Sequence, residues 1–377
     1  MEKILHITKR YPPYIGGIET VCRDMAIALK GHYEQLVLAF NDKNETVKEE
    51  VDGVPVVRAG VQRIIASQPL SKDYKKCVYE ALRDFKPDII HFDYPNPYAA
   101  FFLLKAMKKF RFKGKFYLFW HMDIIKQKIL RVFFAPQTKK LIKRADRIIC
   151  TSPNYLVGTS YLPKVKDKDV RVIPLCVGKE RLEVSAEQKD AAKAIKKKYE
   201  GKKIIFFFGR HVPYKGLEYL IEANNSIDQE KAQFLIAGSG PLTEELKQKA
   251  SAMKNVEFIG RLPDKDINAY LLACDIFAFP SITRNEAFGI SLAEALSFGR
   301  PAVTFTVPGS GVNFVSVDGE TGLEAPNCDS KALAKNIMLL IEDDDLYRKL
   351  SEGAKQRADR LFMPKQFNKN IIDSMSF

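Results

Sequence analysis

The stretch Asn285-Glu286-Ala287-Phe288-Gly289-Ile290-Ser291-Leu292-Ala293-Glu294-Ala295 sets two carboxylates eight residues apart. On one continuous helix they would fall about 80° apart around the axis and two turns apart along it. If the helix begins near Phe288-Gly289, Glu286 stays on the loop before it and Glu294 projects from its second turn. One carboxylate then suits sugar hydroxyls and the other a ribose diol, with the amides of Phe288, Gly289 and Ile290 between them for a phosphate. A second segment, Phe208-Gly209-Arg210-His211-Val212-Pro213-Tyr214-Lys215-Gly216, places two cations on one loop. Such a pair can neutralise a pyrophosphate without a metal ion.

Two further positions have chemical potential. In Pro12-Pro13-Tyr14-Ile15-Gly16-Gly17-Ile18-Glu19, the paired glycines Gly16 and Gly17 open a helix over 18–29. Its N-terminal amides and dipole suit an anion. A plain tight turn explains the same residues. His121, in Phe119-Trp120-His121-Met122-Asp123, ends an apolar run. A histidine there serves either structure or a substrate, while Asp123 reads as the cap of the following helix.

These residues need strand ends to hold them. Short apolar runs at 4–7, 35–40, 89–92, 116–120 and 147–150 alternate with helical stretches, which predicts βαβ units and a parallel sheet. The pattern restarts at 204–208, 234–237, 256–259, 276–279 and 302–305. Two doubly wound α/β domains follow, with a hinge near 176–185 and ligands expected in a cleft at the carboxyl ends of the strands. We place the domains at 1–178 and 179–361, with the tail 362–377 packing back on the first. The lysine-rich run 179–203 reads as a solvated helix face, and Asp343-Asp344-Asp345 as a surface turn.

A chain of 377 residues, 46% hydrophobic, has room for two such cores and is neither disordered nor fibrous. Its six cysteines are far apart, with no zinc-like spacing, and read as reduced thiols. No window offers the ~20 apolar residues of a spanning helix, and the first residues carry no secretory apolar region. The net charge of +14 is uneven: residues 101–150 hold 14 Lys and Arg against Asp123 and Asp146. Phe101, Phe102, Phe110, Phe112, Phe116, Phe133 and Phe134 interleave with those cations. The combination suits an anionic membrane surface or a lipid diphosphate, or else a buried core with solvated lysines. Nucleic acid is disfavoured, because no RNA- or DNA-binding signature accompanies the basic stretch.

Taken together, GGIE near the N-terminus, FxGRxxxYKG, IAGSGP at 236–241, FIGRL at 258–262 and the segment 286–294 resemble the family 4 retaining glycosyltransferases of the GT-B fold. The resemblance covers essentially the whole chain. It implies an acceptor-binding first domain, a donor-binding second domain, and transfer from a nucleotide sugar with no metal and no other cofactor. By match to its motifs, Arg210 and Lys215 look like the diphosphate clamp and Glu286 the donor-sugar contact. Glu294 looks like the ribose contact and Phe288, Gly289 and Ile290 the amide cradle. Arg261 and Leu262 look like the base edge, and His121 the histidine beside the transferred sugar.

The runs WHMDIIKQK and ADRIICTSPNYL are similar to the bacterial polysaccharide branch, including O-antigen mannosyltransferases. The expectation is therefore a hexosyltransferase, with GDP-mannose favoured, that acts on a lipid-linked or polysaccharide acceptor at the inner face of the cell membrane. Alternatives are a UDP-N-acetylhexosamine or UDP-hexose transferase, a sugar-phosphate synthase, and a non-catalytic nucleotide-sugar-binding module.

Overall fold

The computed structural model describes residues 1–14, 16–65, 68–123 and 128–375. Ile15, Ile124, Ile125, Lys126 and Gln127 of the motifs above, and Ser376 and Phe377 of the tail, lie outside the described residues. The chain divides into two compact units. Unit 1 comprises 1–151, 159–173 and 367–377; unit 2 comprises 152–158 and 174–366.

Unit 1 is built on β1 (Lys3–Ile7), β2 (Glu34–Phe40), β3 (Val47–Val51) and β4 (Val54–Ala59). A small hairpin, β5 (Arg63–Ile65) and β6 (Gln68–Leu70), stands apart. The main sheet resumes with β7 (Ile89–Tyr94), β8 (Lys115–Trp120), β9 (Arg147–Cys150) and β10 (Asp169–Val172). Its order is β10-β9-β8-β7-β1-β2-β4-β3, parallel throughout except for the edge strand β3. Central strands such as β7 and β8 are almost entirely buried, as expected of parallel strands covered by helices on both faces. The strand order reverses between β1 and β7.

Unit 2 holds β11 (Lys203–Phe208), β12 (Ala232–Ala237), β13 (Val256–Gly260), β14 (Ile276–Phe279), β15 (Ala302–Phe305) and β16 (Gly322–Ala325). The order is β13-β12-β11-β14-β15-β16, all parallel. This is the Rossmann arrangement, in which ligands bind outside the strand ends where the order reverses, here between β11 and β14. Its core packs Ile205, Phe207, Phe234, Ile236, Ile276 and Val303 beneath flanking helices.

Several boundaries differ from the sequence expectation. The segment 174–178 belongs to unit 2, where the Val177 amide donates to the Phe362 carbonyl at 2.8 Å. Phe362 stays there too, packed edge-on against Phe288 with ring centroids 5.6 Å apart, so only residues from 367 join unit 1. The acidic triplet is not a loose turn. Asp343 caps the helix Asp344–Leu361 by accepting from the Leu346 amide, and Asp344 and Asp345 sit in its first turn, where the dipole favours them. The lysine-rich run does form a solvated helix, Ala186–Lys198, opened by a Ser185/Gln188 capping box and burying Ala192 alone.

Candidate active site

Four of the expected side chains meet the edge of the unit 2 sheet at or beside its switch point. β11 ends at Phe208, and after Gly209 a turn carries Arg210, exposed, and Lys215, buried. Gly216 closes that turn at φ +63° in close approach to the Pro280 carbonyl, so no side chain fits there. β14 ends at Phe279, and the following loop carries Glu286. The Glu286 amide donates to Thr283 O at 3.1 Å, and Ser310 Oγ donates to Glu286 O at 2.6 Å, which fixes the loop.

Lys215 Nζ forms an ion pair with Glu286 Oε2 and lies 4.4 Å from the Phe279 ring centroid. Phe279 and Tyr214 thus form an aromatic slot around the ammonium, whose cation–π attraction helps to hold it. The two side chains assigned to phosphate and to sugar therefore touch one another.

Gly289 adopts φ +95° and starts the helix Ile290–Ser297. Glu286 lies before it on the loop and Glu294 in its second turn. Phe288 turns its side chain into the core and leaves only its amide for a ligand. Glu294 is buried and bonds Arg181 Nε at 3.0 Å. Burial pushes the Glu294 carboxyl above its ordinary value, and Arg181 opposes that shift. Arg181 also donates to the Asp264 carbonyl at 2.7 Å. The sequence reading did not single out Arg181, which sits in the lysine-rich linker. Its one distinguishing signal is an Arg among lysines, the residue suited to a buried, multiply bonded ion pair. Arg261 and Leu262 follow β13 at the same sheet edge, two strands from β11.

The remaining candidates lie in unit 1. Gly16 precedes the helix Gly17–Ala28, and the Glu19 carboxylate folds back against it, so an acidic side chain of the chain itself faces that helix start. His121 directly follows β8 and is buried. Its amide donates to Tyr94 O at 3.0 Å, its ring stacks on Phe119 at 4.5 Å, and its Nε2 lies 2.7 Å from Asp93 Oδ1. Asp93, on β7, was not anticipated. Asp123 accepts from the Trp120 indole at 3.1 Å and the Ser160 amide at 2.9 Å, while the next described helix begins at Lys128.

The basic stretch is not uniform. Phe116 is wholly buried in β8, whereas Phe101 and Phe133 are 47% and 73% exposed. Lys105 lies over the Phe101 ring at 4.1 Å. Val132, beside Phe133, is equally exposed. No helix among the described residues is long and apolar enough to cross a membrane. The five buried cysteines and the exposed Cys328 are all free thiols.

Two doubly wound parallel sheets in one chain, with these motifs at their strand ends, make this a glycosyltransferase of the GT-B class. Residues 15–181 match the model of Glycosyltransferase Family 4, and residues 188–357 that of Glycosyl transferases group 1. The O-antigen chain mannosyltransferase C of Escherichia coli is 30% identical over 96% of this chain and 94% of its own. The D-rhamnosyltransferase WbpZ of Pseudomonas aeruginosa is 29% identical over 96% and 92%. Among solved structures, Anabaena HepE in complex with UDP and glucose superposes with TM-score 0.79 at 20% identity, covering 100% of this chain and 99% of that one. The chain belongs to the family 4 glycosyltransferases.

Proposed function

We propose that the protein moves a hexose, mannose by preference, from a nucleotide sugar to a lipid-linked or polysaccharide acceptor, with retention of anomeric configuration. The observation that carries the reading is the Lys215–Glu286 pair at the β11/β14 switch point, one partner suited to a diphosphate and the other to sugar hydroxyls. Glu294, held by Arg181, is the acceptor for a ribose diol. Arg210, with the Phe288, Gly289 and Ile290 amides, adds positive potential for the departing diphosphate, and Arg261-Leu262 form the base edge. The names of the two long relatives, a mannosyltransferase and a rhamnosyltransferase, support a hexose or deoxyhexose donor, and the UDP complex of HepE supports a nucleotide in this class of site.

On this reading no nucleophilic carboxylate is required. The leaving diphosphate takes the proton of the incoming hydroxyl on the same face, and the fixed cations stabilise the charge that develops. The test is donor hydrolysis and thermal shift with GDP-mannose, UDP-glucose and UDP-N-acetylglucosamine. GDP-mannose is expected to give the largest shift and the fastest turnover. A UDP-sugar in first place moves the donor assignment, and no turnover of any of them defeats the transferase reading.

Metal independence follows from the same cations. Activity is expected to persist in excess EDTA. If chelation abolishes turnover and Mg²⁺ or Mn²⁺ restores it, Lys215 and Arg210 are not the diphosphate clamp.

The acceptor side of the proposal places unit 1 at the anionic inner face of the cell membrane. Exposed Phe101 with Lys105 over its ring, exposed Val132 and Phe133, and the cations Lys105, Lys108, Lys109, Arg111 and Lys113 support it, each cation being worth ~1 kcal/mol near such a surface. Binding to vesicles of anionic phospholipid is expected to weaken sharply with salt, because the Debye length is ~8 Å at physiological strength. Changing those five cations to Glu is expected to release the protein while leaving donor hydrolysis intact. Undiminished sedimentation with the vesicles would refute membrane docking by this stretch.

A further inference from the structure

Three metal-ligating side chains that the transfer reading leaves unused meet in the core of unit 1. His6 and His91 are register partners on the adjacent strands β1 and β7, so their side chains stand on one face of the sheet. Their Nδ1 atoms lie 3.1 Å apart. Cys22 reaches them from the helix Gly17–Ala28, and one ligand atom from each of His6, Cys22 and His91 lies within 4.8 Å of the other two. All three residues have no solvent exposure. Spacing along the chain hides the trio, because 85 residues separate the two histidines and only strand register joins them.

Two imidazole nitrogens and a sulfur are a donor set for zinc, whereas magnesium and calcium take oxygen ligands. On a tetrahedral ion with Zn–N bonds of about 2.0 to 2.1 Å, two ligating nitrogens stand ~3.3 Å apart. The imidazole pair already has nearly that spacing. The groups behind the ligands fit as well. A ligating histidine ordinarily turns its second ring nitrogen to a buried acceptor, which leaves the first for the metal. His6 Nε2 lies 2.9 Å from Gln35 Oε1, and Gln35 is turned that way because its Nε2 donates to the Ala26 carbonyl at 3.0 Å. His91 Nε2 lies 3.3 Å from Asp93 Oδ1.

Asp93 supplies a further observation. It faces Cys22, and while its Oδ1 meets His121 Nε2 at 2.7 Å, its Oδ2 is buried with no hydrogen-bond partner. An oxygen donor thus stands beside the sulfur for a fourth position. A thiolate and a carboxylate together also balance the two charges of a zinc ion, as an enclosed site requires.

We propose that His6, Cys22 and His91 bind one zinc ion in the core of unit 1, with Asp93 Oδ2 completing the coordination. Binding exchanges the Cys22 thiol proton for an S–Zn bond and releases that proton to solvent, with no change of oxidation state. The ion ties β1, β7 and the helix Gly17–Ala28 together where the strand order reverses, so its role is structural. The inference does not rest on the transferase reading. Oxygen-preferring Mg²⁺ or Mn²⁺ is a poor substitute at such a site, so restoration of activity by those ions still reports on the diphosphate clamp alone.

The experiment uses the full chain without a histidine tag, treated with chelator and reductant, reloaded with Zn²⁺ or Co²⁺ and freed of loose ion by gel filtration. Elemental analysis is expected to find about one zinc per chain. The Co²⁺ protein should show the intense near-ultraviolet band of a thiolate–cobalt bond and the visible bands of a tetrahedral ion. Zinc at about a hundredfold its dissociation constant should raise the melting temperature by about 5 to 10 °C. Cys22→Ala should remove both the band and the zinc-dependent shift, whereas Cys274→Ala, which deletes a buried thiol of unit 2, should leave them. The zinc content and the cobalt band are read on the unmodified chain, so they decide the matter even where Cys22→Ala fails to fold. No retained zinc and no thiolate band overturn the proposal and leave a plain hydrogen bond between the two imidazoles. A band that persists in Cys22→Ala also overturns it, by placing the ion on another cysteine. If zinc is bound as expected but no nucleotide sugar is consumed, the metal site stands and the transferase reading falls.

Discussion

Lys215→Ala is expected to lower kcat/KM for the nucleotide-sugar donor by about a hundredfold. A charge-assisted hydrogen bond contributes ~1.5 to 3 kcal/mol, and each ~1.4 kcal/mol is tenfold. The ammonium is held between Phe279, Tyr214 and Glu286, so on the proposed function it would meet a diphosphate already oriented. Its removal also strands Glu286, whose side chain is 13% exposed, and some loss of stability must follow. A pair of variants separates the two effects. Lys215→Met with Glu286→Gln removes both charges and should recover the melting temperature without recovering turnover. Wild-type kcat/KM in folded Lys215→Ala would exclude this lysine from the site.

The second large effect belongs to Arg181. Arg181→Met is expected to destabilise unit 2 by about 3 to 5 kcal/mol at pH 8, since it leaves the Glu294 carboxylate buried without its partner. The loss should depend on pH. In the unfolded chain a glutamate titrates near 4.3, whereas burial raises Glu294 in the folded chain, and the loss of Arg181 raises it further. Stability is then retained at pH below the unfolded value and declines as pH rises toward the folded one. Urea midpoints for the variant should therefore drop less at pH 5 than at pH 8. Adding Glu294→Gln should flatten the difference. Equal losses at both values would mean that Arg181 acts through the Asp264 and Asn268 contacts instead.

The strands that the sequence revealed were those with dense apolar runs, such as Lys115–Trp120 and Lys203–Phe208, because strands buried on both faces tolerate little else. Val47–Val51 and Gly322–Ala325 escaped notice. They lie at sheet edges, where charged and small residues are tolerated, and VKEEV or GLEA carries no strand signature. The site divides in the same way. Lys215, Glu286 and Glu294 stand in compact motifs at strand ends and helix starts, where spacing along the chain is also spacing in space. Arg181 and Asp93 act across 113 and 28 residues of separation, through a linker and through strand register. Nothing local marks them. Only the start of the tail was misjudged, for a related reason: Phe362 follows a long helix, but its place is set by the distant Phe288 and Phe314 rings.

The helix Pro364–Met375 bears on how the protein is made. From residue 367 it belongs to the unit that the chain began more than 300 residues earlier. There the Ser374 carbonyl accepts from the Arg147 guanidinium and the Met375 carbonyl from the Tyr117 hydroxyl. During synthesis these two contacts can form only after the whole of the second unit has emerged, although Arg147 already has Asp169 to pair with. A nascent chain stalled before residue 367 should hold unit 2 in a protease-resistant state and unit 1 in a susceptible one, so the order of completion runs opposite to the order of translation.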